Sequence, residues 1–223
     1  GYNNAFSSRF YFLLKELSGE YSGGYLTDRI VSFYNGKPPF NRLADLTSVG
    51  YIIDPHVVWR VVEDRRRTTL QRASLFFEYE SNENKEEAVR KLSEPDFPIK
   101  RKVILTSKFN IPIGPPDPIS SIKFIKNGNS HIVLEVETKT PAILLLTDIF
   151  AKGWIARING EKTDIMEGNI AFRAVYILPG KHVVEFKYFP PGLSLSLLLS
   201  LIGISICIVL YKQDNYCRVK QKA

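Results

Sequence analysis

From residue 121 onward the hydrophobic pattern of this chain has a period of two. Ile122 and Phe124 alternate with Ser121 and Lys123, and Ile132, Leu134 and Val136 alternate with Val133, Glu135 and Glu137. Such alternation marks strands with one buried face. The run "AILLL" at 142–146 is apolar throughout, as for a strand buried on both sides. "IAFRAVYIL" (170–178) and "HVVEFKYF" (182–189) read as two further strands joined by Pro179-Gly180-Lys181. Between them and "AILLL" lies "FAKGWIARINGEKTDI" (150–165), whose Asn159-Gly160 pair is the strongest short hairpin signal, because a type I′ turn needs positive φ at both positions. A two-residue loop sets Ile158 opposite Glu161, Ala156 opposite Thr163 and Trp154 opposite Ile165. Trp154 then falls on the apolar side of the ribbon, as a core residue between sheets, while a solvent-facing platform for a sugar ring stays open as the second reading. Six or seven short strands at regular spacing predict a β-sandwich over residues 119–190.

Upstream the pattern is mixed. "SSRFYFLLKELSGE" predicts a short helix, capped by Ser7 or Ser8, striped by Phe10, Leu13, Leu14 and Leu17, and ended by Gly19. Residues 20–46, rich in Gly, Tyr and Pro, read mainly as loop. Strands are predicted at 48–53, 56–63, 73–79 and 102–106, with a polar helix over 83–92. Residues 1–109 are therefore expected to form a small α+β unit, and "NIPIGPPDP" (110–118), with four prolines, a linker to the sandwich.

The most decisive pattern lies near the end. Residues 193–211, "LSLSLLLSLIGISICIVLY", carry no charge. As a helix they would span about 28 Å, close to the roughly 30 Å hydrocarbon core of a bilayer. Ser194, Ser196, Ser200 and Ser205 can return their hydroxyls to backbone carbonyls one turn earlier. A core helix of this length is rarely uncharged all round, so a transmembrane helix is predicted. Lys212, Arg218, Lys220 and Lys222 follow it against a single Asp214, and Lys and Arg accumulate on cytoplasmic flanks. The expectation is a plasma-membrane protein with residues 1–190 extracytoplasmic and a basic cytoplasmic tail at 212–223.

Composition narrows the chemistry. The formal charge of +7 includes +3 from that tail, and the mild remainder over the outer part argues against a nucleic-acid partner. The two cysteines, Cys207 and Cys217, lie in the span and just after it, so the outer part has neither disulfides nor thiolate metal ligands. His56, His131 and His182 stand far apart, and no phosphate-cradling loop, zinc-protease motif or nucleophile elbow occurs in the outer part. No catalytic residue, metal site or cofactor is assigned. The candidates for ligand binding are Arg65, Arg66, Arg67 and Arg72 of "EDRRRTTLQR", whose guanidinium forks suit phosphate, together with Trp154. For the arginines, a solvated turn between two strands is the competing reading. The only Met is Met166, so the sequence is expected to be a piece of a longer or processed chain.

Several motifs coincide after residue 150: Gly153-Trp154, the Asn159-Gly160 turn, the strand Phe172–Val175, the Pro179–His182 turn, and Phe186, Tyr188 and Pro190 leading into the apolar run. In this combination the chain resembles the C-terminal end of the YfhO-type bacterial membrane protein family. Upstream, "RLADLTSVGYII" and "TTLQRASLFF" extend the likeness to about residue 43, with Gly50 and Gln71 departing from the family's Lys and Pro, and Ala151-Lys152 replacing its usual residues before the GW. The resemblance implies a polytopic protein of glycosyltransferase type that uses lipid-linked sugars on cell-envelope polymers. It also implies a catalytic carboxylate in an early loop among membrane helices outside these residues. On this reading the chain partners an upstream membrane domain of the same protein, membrane lipid, and a lipid-linked sugar or anionic envelope polymer. The alternative is a non-enzymatic, single-span envelope protein whose β domain binds a glycan or a protein.

Overall fold

The computed structural model describes residues 69–94 and 96–221, together with Leu46 and the backbone of four short upstream strands; for 212–221 only the backbone is described. The upstream strands form two antiparallel pairs, β1 (Gly24–Thr27) with β2 (Ile30–Phe33) and β3 (Tyr51–Asp54) with β4 (Arg60–Asp64). The helix expected at the N-terminus lies outside the described residues.

The body of the molecule is built from β5 (Ala73–Phe76), β6 (Glu78–Ser81), helix α1 (Lys85–Ser93), β7 (Lys102–Leu105), β8 (Ser121–Asn127), β9 (His131–Thr138), β10 (Ala142–Ile149), β11 (Trp154–Ile158), β12 (Glu161–Thr163), β13 (Met166–Gly168), β14 (Phe172–Ile177) and β15 (Gly180–Tyr188). Two sheets result. One has six strands in the order β5-β10-β14-β13-β7-β6, and the other five in the order β12-β11-β15-β9-β8. All pairings in these two sheets are antiparallel except β6 with β7, which run parallel with α1 between them in the chain. Asn84 starts α1 by accepting the Glu87 amide on its side chain, satisfying one of the helix's orphan donors.

The period-two pattern is realised as drawn. Ile132, Leu134 and Val136 of β9, Val184 and Phe186 of β15 and Ala156 of β11 meet Ala73, Leu144, Leu146, Val175 and Ile177 of the facing sheet in one buried cluster. The Asn159-Gly160 turn has φ of 52° and 87°, and its register sets Ile158 against Glu161 and Ala156 against Thr163. Each fully buried aliphatic or aromatic side chain here contributes about 1.5–3 kcal/mol over an exposed one.

The strands from before and after residues 110–118 are hydrogen-bonded into the same sheet, since β5 pairs with β10 and β7 with β13. The proline-rich segment is packed as well: Ile111 and Ile113 lie against the second core cluster, and the Tyr79 hydroxyl receives the Ile111 amide. That cluster occupies the outer face of the six-stranded sheet, where Ala88, Val89 and Leu92 of α1 meet Phe76, Val103, Leu105, Ile143, Leu145 and Ala174. The arrangement has three layers: helix, six-stranded sheet, five-stranded sheet. "AILLL" is apolar throughout because β10 lies in the middle layer, with Ile143 and Leu145 facing one core and Leu144 and Leu146 the other.

Helix α2 (Leu193–Gln221) follows β15 almost at once. Its segment Leu193–Tyr211 has mean hydropathy 2.6 and none of it is buried against the protein. By length and composition it could cross a membrane. Ser196, Ser200 and Ser205 return their hydroxyls to carbonyls one turn back, at 2.8–3.0 Å, which satisfies these donors within the helix, as a membrane span requires. The helical backbone continues beyond the apolar stretch as far as Gln221.

Leu145 sits in the middle layer with Gly168 across from it; a Cβ at that glycine would lie 2.5 Å from the Leu145 Cδ1. Leu145→Ala should therefore cost about 2–5 kcal/mol. Leu178→Ala, at a side chain 57% exposed, should stay within about 0.5 kcal/mol. Urea titration of the detergent-solubilised chain measures both.

Candidate functional site

The end of the sandwich nearest α2 is held by a charged cluster that begins with one carboxylate. Asp148 stands at the end of β10, just past its apolar run. Its two oxygens accept both prongs of Arg72, from Nε and Nη2, at 2.9 Å each. The same Oδ2 accepts from Nη2 of Arg173 at 2.7 Å. Arg72 also donates to the Asn127 side chain and lies 5.7 Å from the Phe124 ring centroid. One acid thus serves two guanidinium groups.

Arg173 is the unusual member. It belongs to β14 between Phe172 and Ala174, which face the helix-side core, so its own side chain points with Val175 and Ile177 into the sandwich. It is 1% exposed. Its guanidinium stacks 3.7 Å from the Trp154 ring centroid and 5.3 Å from that of Phe186. Burial pushes its pKa down to about 10, opposed by the attraction of Asp148, so the group stays charged at neutral pH. Its Nε and Nη1 have no hydrogen-bond partner among the described residues. The faces of Trp154 and Phe186 stand in for part of that missing solvation, as aromatic faces attract guanidinium charge.

Trp154 is half-buried, packed on the sandwich core and 5.3 Å from the Tyr188 ring. The residue before it explains the geometry. Gly153 has φ of +103°, and a Cβ there would come within 2.5 Å of the Phe189 carbonyl oxygen and 3.0 Å of the Pro191 ring. Only glycine fits on both counts. The Gly153 carbonyl also accepts the Phe189 amide at 2.8 Å. The loop carrying Trp154 is thereby fastened to the segment that leads into α2.

The structure brings Arg72 and Trp154, distant in sequence, into one cluster through Asp148 and Arg173. Arg65, Arg66 and Arg67 lie outside the described residues. Arg173 and Asp148 were not among the sequence candidates. A signal for Arg173 existed: it is the one charged residue in a strand of otherwise apolar residues, two positions before Val175. Asp148 gave a weaker sign, since a carboxylate at a strand end is ordinary. His131 pairs with Glu185 at 2.6 Å and with Lys126 at 2.8 Å, whereas His182 meets Asn159 at the other end of β15. Among the described residues no three His, Cys, Asp or Glu side chains gather as a metal site.

Removing Asp148 leaves a buried guanidinium uncompensated, so Asp148→Ala should cost about 3–5 kcal/mol. Arg173→Leu should cost less, because Asp148 keeps Arg72 and the leucine fills an apolar site. Chemical denaturation of the two variants side by side would reverse this assignment if Arg173→Leu proved the more damaging.

The residues gathered at this end, Gly153, Trp154, Phe172–Val175, Phe186, Tyr188 and Pro190, are among those that carry the likeness noted in the sequence, whereas Asn159-Gly160 and Pro179–His182 lie at the far end of the sheet. Comparison with known proteins bears on the same region. No curated protein and no solved structure matches the chain. Residues 119–200 match the family model described as Bacterial membrane protein YfhO. From β8 into the first turns of α2 the chain is therefore similar to the YfhO-type family of bacterial membrane proteins.

Proposed function

We propose that this chain supplies the extracytoplasmic β-rich part of a membrane glycosyltransferase, where it holds a lipid-linked sugar or an anionic envelope polymer beside a catalytic centre built by membrane helices elsewhere in the protein. One observation carries the reading. Arg72, Arg173 and Trp154 meet at the end of the sandwich from which the chain enters the membrane helix, and the Gly153–Phe189 hydrogen bond fixes that end to the lead-in. A lipid-linked sugar carries its phosphate at headgroup depth, so a domain that orients such a donor must present cations and aromatic faces there. Guanidinium forks such as those of Arg72 and Arg173 suit phosphate, and the Trp154 and Tyr188 rings suit an interfacial position. The basic residues after Tyr211 support a cytoplasmic C-terminus and an outer sandwich.

The proposed catalytic centre lies outside this cluster, because the cluster has its one carboxylate committed to two arginines. Expressed by itself, this chain should not transfer sugar from a polyprenyl-phosphate donor. In the full-length protein, Arg65→Glu, Arg66→Glu and Arg67→Glu together should slow transfer and weaken acceptor binding in a salt-sensitive way. Transfer by this chain alone, followed by radiolabelled sugar, would overturn the division of labour, and unchanged acceptor binding in the triple variant would remove those arginines from the site.

Orientation has its own test. Cys217 should resist a membrane-impermeant thiol reagent in intact cells and react once the membrane is permeabilised. Labelling in intact cells would place the tail outside and the sandwich in the cytoplasm.

A further inference from the structure

Beyond the charged cluster, the same end of the sandwich carries lysines with no part in it. Lys187 lies at the end of β15, six positions before α2 begins, and is paired in register with His131 of β9. Lys126, at the end of β8, reaches the His131 ring. Lys152 precedes Gly153, whose carbonyl binds the Phe189 amide. All three side chains are exposed. Lys152 and Lys187 make no ion pair among the described residues, and the acids nearby are taken up: Glu185 by His131, Asp148 by Arg72 and Arg173. Two residues after Lys187, the Phe189 side chain is 47% exposed.

Chain geometry limits how far this patch can be from lipid. An extended segment covers at most about 3.6 Å per residue, so Lys187 lies within roughly 22 Å of the first residue of the span. Lys126 and Lys152 are bound to the strand and lead-in that carry it. At the opposite end of the sheet the pattern differs, since Lys181 is paired with Glu135 and Arg157 donates to the Gly160 carbonyl.

We infer that the rim formed by Lys126, Lys152, Lys187 and Phe189 seats on the headgroups of an anionic bilayer. This clamps the sandwich upright on the membrane from which its helix emerges. The inference rests on α2 crossing the membrane and not on the glycosyltransferase reading. Phe189 inserts at the level of the acyl-chain boundary, and the lysines lie among the lipid phosphates. Each lysine near an anionic surface shifts the docked population about fivefold. Three act together because one rigid sheet end carries them.

The test uses the full chain in nanodiscs of phosphatidylcholine alone, or of phosphatidylcholine with an equal part of phosphatidylglycerol. Amide hydrogen exchange is read at residues 126–131 and 151–155, with 159–162 at the far end as internal control. Exchange at the first two segments should be at least about tenfold slower in the anionic discs at low salt. The difference should vanish at high salt and in the Lys126→Glu, Lys152→Glu, Lys187→Glu variant, while 159–162 stays unchanged. Equal exchange in the two lipids would overturn the inference. So would equal slowing at 159–162, or the same protection from inorganic phosphate in phosphatidylcholine discs, which would mean a small-anion site. If the triple variant folds poorly, the lipid and salt comparisons on the native chain decide alone. Loss of sugar transfer with lipid-dependent protection retained would fault the proposed function and leave this docking intact.

Discussion

A carboxylate at the end of a buried strand does more to shape this molecule than any single apolar contact. Asp148 must neutralise Arg173, whose guanidinium lies inside the sandwich against the faces of Trp154 and Phe186. It holds Arg72 through two parallel hydrogen bonds as well. Bringing those charges together fixes the ends of three neighbouring strands, β5, β10 and β14, in one plane of the sheet. Trp154 then covers Arg173 from the facing sheet, so the charge also sets how the two sheets meet at this end. A buried ion pair often adds little to net stability compared with an apolar replacement. Here its geometric effect is to specify one alignment of the layers.

The other end of the same strand shows the complementary principle. Ile143 to Leu146 face alternately into two cores, so β10 has no wet side along its first half. The sheet that contains it is covered by α1 on one face and by the five-stranded sheet on the other. Stability rests on burying apolar area in two directions from one central layer, and specificity rests on the polar knot where that layer ends.

Much of this was legible in the residues. Period-two alternation placed the strands of the five-stranded sheet, the Asn159-Gly160 pair fixed the β11–β12 register, and the uncharged run placed the apolar C-terminal helix. "AILLL" announced a strand buried on both sides. The sequence could not say what covers the second side, because the covering helix lies before residues 110–118 and four prolines suggested a break there. Proline ends regular structure locally but does not prevent the strands on either side from pairing, and β5 and β7 join β10 and β13 across it. The arginine pair was half legible. Arg72 attracted notice as one of a run of cations, whereas Arg173 looked like one of many strand residues. Its partner is set only by the tertiary register that brings β10 and β14 together, and no spacing along the chain encodes that.

The junction between Tyr188 and Leu193 bears on mechanics. Phe189 is bonded to Gly153, Pro190 and Pro191 have their φ angles locked by their rings, and helical geometry begins at Leu193. Gly192, at φ of +82° with open space around it, is left as the one glycine joint between two stiff bodies. Few torsions separate the sandwich from the helix, so a change of angle between the two bodies is concentrated at one pivot, like the hinge of a door.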